Sequence, residues 1–205
     1  MHPAPGPPGS CIRLDHITVV SGLPRAGTSM VMKMLEAGGL PVLSDGHRCA
    51  DEDNPDGYFE FERVKNLRED PTWLPLAVGK AVKVISWLLR DLPDGYRYDI
   101  IFVRRAMAEV LASQRQMLLR RGAAAACADD ERMAALYAKH LREVSAWLGT
   151  QAHVSVLYVE HREAVGNPLA VAERVNAFLG GELDPARMAG AVEPALYRQR
   201  EEVET

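Results

Sequence analysis

Cysteine is scarce in this chain. Cys11, Cys49 and Cys127 are odd in number and far apart in 205 residues, which excludes a disulfide framework and a zinc ribbon. No run approaches the ~18 consecutive apolar residues of a membrane span. The N-terminal residues lack a basic segment followed by an apolar stretch, so no secretory signal is expected and the cytoplasm is the expected compartment. A strong charge of either sign is missing too. Lys and Arg number 24 against 28 Asp and Glu, and the net charge of −4 gives no global attraction to nucleic acid or an anionic membrane. Any anion site must therefore be local. What remains is ordinary globular composition, 47% hydrophobic and 25% charged, at a length that suits one domain with a sizeable core.

Residues 1–11 are Pro- and Gly-rich and are expected to form a disordered tail, leaving a single domain over 12–205. Within that domain, strand and helix patterns alternate. Ile17–Val20, Leu40–Leu43, Lys80–Ser86, Asp99–Val103 and Val154–Val159 read as strands. The continuous apolar run at Asp99–Val103 suits a buried parallel strand. Met107, Val110, Leu111, Gln114 and Leu118 share a helix face, as do Met133, Leu136, Tyr137, Leu141, Val144 and Leu148 on a helix over Glu131–Leu148. His140 falls on that second stripe and reads as a partly buried histidine. Helices are also expected at Pro168–Leu179 and from Asp184-Pro185, with a mobile loop over Ala123–Asp130. Tyr58–Arg63 reads either as a short extended piece or as the start of a helix to Leu67. The pattern predicts an α/β fold: three layers, a central parallel β-sheet flanked by helices, with ligands at the C-terminal edge of the strands.

One stretch organises the rest. Ile17–Gly22 is a strand, Gly22–Gly27 a glycine-bounded loop, and Thr28 onward a helix. Such a loop offers backbone N–H groups and the positive end of a helix dipole to an anion, and predicts a phosphate cradle. A nucleoside triphosphatase loop places Lys after its second glycine. Here that position is Thr28, and the cation comes earlier, at Arg25. No clear acidic metal ligand follows a later strand, because Val103 runs into Arg104-Arg105. The turn-rich segment Ser44–Gly57 carries His47, Cys49 and several carboxylates, but its spacing matches no zinc or calcium template, so no metal is expected.

Pro24-Arg25-Ala26-Gly27-Thr28-Ser29 resembles the 5′-phosphosulfate loop of sulfotransferases that use 3′-phosphoadenosine 5′-phosphosulfate (PAPS), commonly P-K/R-S-G-T-T/S. The resemblance extends from Ile17 to about Gly180 and includes Asn167-Pro168 and Phe178-Leu179-Gly180. It implies a P-loop NTPase-like sulfotransferase fold, PAPS as donor, 3′-phosphoadenosine 5′-phosphate (PAP) as product, and a small-molecule or carbohydrate acceptor with a hydroxyl or amine. It implies donor contacts from Gly22, Pro24, Arg25, Ala26, Gly27, Thr28 and Ser29. The family holds the 3′-phosphate with an Arg at a strand end and a Ser eight residues later. Arg105 and Ser113 have that spacing, Glu109 stands where the family often has Asp, and Arg104 is the rival to Arg105. Arg198 is a candidate substitute for a cation that the cytosolic animal enzymes carry in a segment absent here. The Y-E-D-L-L segment of the family is replaced by His161–Val165.

The chemistry needs a neutralised leaving phosphate, an aligned acceptor and a base. Arg25 is the candidate for the first task, acting electrostatically because its pKa is too high for proton donation. Lys83 matches a family Lys at a strand end. The usual His two positions later is Ile85, so that assignment fails. Glu60, flanked by Phe59 and Phe61, is the candidate base, with Glu62 second; aromatic neighbours would raise its pKa by desolvation. The acidic Ser44–Gly57 loop hints at a polar or cationic acceptor. Two other readings stay open: a kinase or nucleoside triphosphatase with a degenerate loop, and a non-catalytic nucleotide-binding module. The oligomeric state has no sequence signal.

Overall fold

The computed structural model describes residues 15–46, 59–120 and 130–193. Among the described residues, five strands form one all-parallel sheet: β1 (His16–Gly22), β2 (Val42–Leu43), β3 (Ala81–Lys83), β4 (Arg97–Arg104) and β5 (Val154–Glu160), in the order β2-β3-β1-β4-β5. Six α-helices among the same residues accompany them: α1 (Thr28–Ala37), α2 (Met107–Arg120), α3 (Asp130–Leu148), α4 (His161–Gly166), α5 (Pro168–Phe178) and α6 (Pro185–Gly190). This is the expected three-layer α/β arrangement.

Strand alternation sorts side chains into two cores. On one face Val20, Ile101 and Val103 pack with Val31 and Leu35 of α1, Val110 of α2, Ala164 of α4, Val171 and Val175 of α5 and Met188 of α6. On the other face Ile17, Val19, Ile100 and Phe102 pack with Trp73, Leu74 and Leu89 and with Val144 and Leu148 of α3. The second face is covered largely by 3-10 turns, at Glu62–Asn66, Leu74–Ala77 and Ser86–Asp91.

Those turns account for most departures from the sequence pattern. The strand expected over Lys80–Ser86 pairs only from Ala81 to Lys83; then Leu88 N–H bonds Ile85 carbonyl and the chain coils. The expected Leu40–Leu43 strand shrinks to Val42–Leu43. Phe59–Phe61 has no regular structure and leads into the Glu62–Asn66 turn. Leu136 is 53% exposed rather than buried, because it sits about 100° round the helix from Tyr137, at the rim of the stripe. The short helix α4 was not expected. Helices α5 and α6 begin as their caps dictate: Asn167 accepts from Ala170 N–H, and Asp184 from the N–H groups of Ala186 and Arg187. The Pro/Gly-rich tail, Arg198, and the loop before Asp130 lie outside the described residues. Among the described residues no helix is long and apolar enough to cross a membrane.

Ile101 is fully buried at the middle of β4. Ile101→Ala is expected to cost about 2–5 kcal/mol through lost burial and the cavity left behind, read as a lower urea midpoint with the slope unchanged.

Candidate active site

The sheet order places β1 between β3 and β4, where the chain direction across the sheet reverses. Crevices at such points lie outside the carboxyl ends of the strands. The register brings three sequence-distant segments to that edge. Val20 aligns with Lys83 of β3, and Gly22 aligns with Val103 of β4, just before Arg104-Arg105.

The loop from Gly22 to Gly27 follows at once. Gly22 has φ +155°, and a Cβ there would lie 2.6 Å from the Val103 carbonyl oxygen. Gly27 caps α1 at φ +100°, and a Cβ there would lie 2.4 Å from Cδ2 of His161. Both glycines are thus demanded by the packing of the loop itself as well as by any approaching phosphate. Arg25 adopts φ +68°, a left-handed conformation costly for a side chain that begins with Cβ. Ala26 N–H is occupied by the Leu23 carbonyl at 3.1 Å. No side chain caps α1 and no acidic residue occupies its first turn, which keeps the positive end of its dipole uncompensated by a carboxylate.

The link after β4 and helix α2 supply the second set. Arg105 sits in the link just before the helix, and Glu109 and Ser113 lie four apart on one face of α2. Arg105 Nε donates to Glu109 Oε2 at 2.8 Å, a pair whose side chains are 9% and 5% exposed. Arg105 Nη1 donates to the Arg25 carbonyl at 3.1 Å, and Arg25 Nε donates to Ser113 Oγ at 3.0 Å. The loop and α2 therefore meet directly. Two guanidiniums and one carboxylate converge, and a buried ion pair of this kind is held by its hydrogen bonds rather than by charge alone. The rival, Arg104, turns elsewhere: its guanidinium carbon lies 3.7 Å over the Tyr158 ring.

At the β3 edge, Lys83 Nζ is 3.7 Å from Glu60 Oε1. Glu60 is fixed by its neighbours. Its carbonyl accepts from Asp45 N–H at 3.1 Å, Asp45 Oδ2 accepts from Glu62 N–H at 2.5 Å, and Phe59 just before it has φ +49°. Phe59 packs into one core and Phe61 into the other, edge-on to Trp73. Glu62 instead pairs with Lys65 on the surface and is 59% exposed, so it stands away from Lys83's pairing.

Sequence reasoning missed His161 as a site residue. It opens α4, is buried, and lies against Gly27. Burial, with Arg105 adding repulsion and Glu109 opposing it, pushes its pKa down to about 4, so it is neutral at pH 7. A lone histidine after a strand carries no pattern that would mark it. Among the described residues no His, Cys, Asp and Glu group could hold a metal ion.

No family model and no curated protein sequence matches the chain. Solved structures that resemble it include three sulfotransferases. The sulfotransferase domain of the Synechococcus PCC 7002 olefin synthase matches with a TM-score of 0.50 and 13% identity, over 98% of this chain and 94% of that one. The sulfotransferase of Alicyclobacillus acidocaldarius gives 0.48 and 18%, over 80% and 81%. The sulfotransferase domain of the curacin biosynthetic pathway gives 0.47 and 16%, over 88% and 83%. The first shows that this chain has a sulfotransferase fold, and at that identity it speaks to fold alone.

His161 makes stability depend on pH. Its folded pKa lies below the unfolded value of 6.5, so the unfolded chain binds the extra proton between them. The stabilisation is complete above pH 6.5 and is lost as pH falls toward about 4, by up to ~3 kcal/mol. Denaturant midpoints measured from pH 7.5 to 4.5 are expected to fall, and the slope is expected to flatten in His161→Asn.

Proposed function

We propose that this chain transfers a sulfonate group from PAPS to a hydroxyl or amine of a small-molecule acceptor. The observation that carries the reading is the contact of the Gly22–Ser29 loop with Arg105 and with Ser113 of α2, through Arg25 to Ser113 and Arg105 to the Arg25 carbonyl. A donor with a 5′-phosphosulfate and a 3′-phosphate needs two anion sites at the span of one nucleoside. The loop and the N-terminus of α1 serve the 5′ end. Arg105 and Ser113 serve the 3′ end, where a planar guanidinium suits phosphate oxygens. In this assignment Arg105 also holds the loop, so the two ends of the donor would be read by one connected unit.

The acceptor oxygen attacks sulfur, the bond from sulfur to the 5′-phosphate oxygen breaks, and PAP leaves with the bonding pair. Arg25 and the loop N–H groups stabilise the charge that grows on the leaving phosphate. Lys83 stands next to Val20 and assists at the same end. Glu60 takes the acceptor proton, and its fixed backbone and pairing with Lys83 support that role. The reaction as drawn needs no metal ion.

Donor recognition has a direct test. PAP is expected to raise the melting temperature more than AMP or ADP, since a ligand at 100 times its dissociation constant adds about 2.7 kcal/mol. Ser113→Ala is expected to remove most of the preference while the fold persists. Arg105→Ala removes it too, and also destabilises the chain by about 3–5 kcal/mol because Glu109 is left buried without its guanidinium. Equal shifts for the three nucleotides would overturn the assignment. Given a working acceptor, Glu60→Gln is expected to lower kcat by about 10²–10⁴ with the PAP shift intact, and Glu62→Gln to leave kcat unchanged.

A further inference from the structure

An aromatic cluster stands beside this site that the donor reading does not use. Trp87 lies in the 3-10 turn Ser86–Asp91, which follows Lys83 within a few residues. Its ring stacks on His140 of α3, with centroids 4.0 Å apart and planes 1° from parallel. Tyr137, one helical turn earlier, meets Trp87 edge-on at 5.5 Å. The cluster is held from below and from the side. Ser86 Oγ and His140 Nε2 are 2.8 Å apart, and Tyr137 OH donates to Gln114 Oε1 at 2.7 Å. Ser86 is fully buried, and its hydroxyl shares this hydrogen bond with the imidazole. Burial and the nearby Arg90 lower the His140 pKa and favour its neutral form.

These contacts also locate the cluster. Ser86 ties it to the β3 end that carries Lys83 and Glu60. Gln114 ties it to α2, where the adjacent Ser113 holds Arg25. The Trp87–His140 stack is therefore tied both to the turn that follows Lys83 and to the helix that carries Ser113. Yet Trp87 is 41% exposed and Ile85 beside it 43%. One face of the indole rests on His140, so the open area belongs to the opposite face and rim. Large apolar area left open in a rigid setting marks a binding surface. The side chains that form it, Ile85 and Trp87, carry no charge, and neither do Tyr137 and neutral His140 that back them.

We propose that the Trp87 ring, backed by His140, seats the acceptor, and that the acceptor is a neutral molecule whose hydroxyl is borne on a flat, π-rich ring. The acceptor ring lies on the open face of the indole, and its hydroxyl points toward Lys83 and Glu60. Trp87 is then a specificity-determining residue. This deepens the sulfonate-transfer reading and rests on it for the name acceptor. It departs from the polar or cationic acceptor that the acidic Ser44–Gly57 loop hints at; most of that loop lies outside the described residues.

The probes are 2-naphthol and cyclohexanol, each titrated calorimetrically into the full chain with and without saturating PAP. The expected result is measurable binding of 2-naphthol, weaker binding of cyclohexanol, about a tenfold loss of naphthol affinity in Trp87→Ala, and a smaller loss in Trp87→Phe. The PAP-induced rise in melting temperature is expected to be the same in both variants and the parent, which shows that fold and donor site are intact. Failure of 2-naphthol to bind under either condition, equal affinity for the two probes, or unchanged affinity in Trp87→Ala overturns the proposal. If PAP fails to bind while 2-naphthol binds through Trp87, the donor reading fails and the ring seat stands.

Discussion

The Arg105 guanidinium is the tie on which the site's geometry depends. It is nearly buried, bonded on one side to Glu109 of the helix that follows it and on the other to the Arg25 carbonyl in the loop. A buried charge is tolerable only when its hydrogen bonds are met, and here meeting them fixes the loop against α2. The left-handed conformation of Arg25 is part of the same arrangement, since it belongs to the residue whose carbonyl Arg105 receives and whose guanidinium reaches Ser113. Strain at one residue is offset by contacts from two others. His161 completes the support from below Gly27, and it stays neutral because burial and Arg105 both oppose a second positive charge.

The sheet makes this possible by geometry alone. Parallel strands joined through helices put all their carboxyl ends on one edge. The order β2-β3-β1-β4-β5 then sets residues 20–27, 83–86 and 104–113 side by side, although they are separated by tens of residues in the chain. The cores on the two faces are unlike. Helices cover one, and short 3-10 turns with Trp73 and α3 cover the other. The irregular stretch before the first of these turns carries Glu60, and the turn after β3 carries Trp87, so the less regular face is the one that flanks Lys83.

Much of this was legible in the sequence, for identifiable reasons. The β-branched run before Gly22, the apolar run before Arg104 and the stripe of α3 are strong periodic signals, and each element appears where expected. Arg105 and Ser113 stand out together by their spacing, and both meet the loop, Arg105 from the link before α2 and Ser113 from the helix. Long-range contacts were not legible. Nothing near His161 in the chain announces Gly27, because the pair forms only after β5 has taken its place beside β4. His140 was read correctly as partly buried, but its bond to Ser86 depends on where α3 crosses the 3-10 turn. The 3-10 turns themselves escaped because short apolar runs such as Val84–Leu89 fit strand and turn alike. Glu60 and Glu62 looked alike in sequence, and only the Asp45 clasp separates the one beside Lys83 from the one on the surface.

That clasp has a consequence for how such a protein can change over evolutionary time. Asp45 grips the backbone at Glu60 and Glu62, so the two stems of the intervening segment are stapled together independently of what joins them. Closing a somewhat longer connection between fixed stems costs little extra entropy. Length and composition between the stems are thereby decoupled from the position of the carboxylate facing Lys83. Descendants of this scaffold can exchange the segment as a cassette while the carboxylate beside Lys83 is inherited intact.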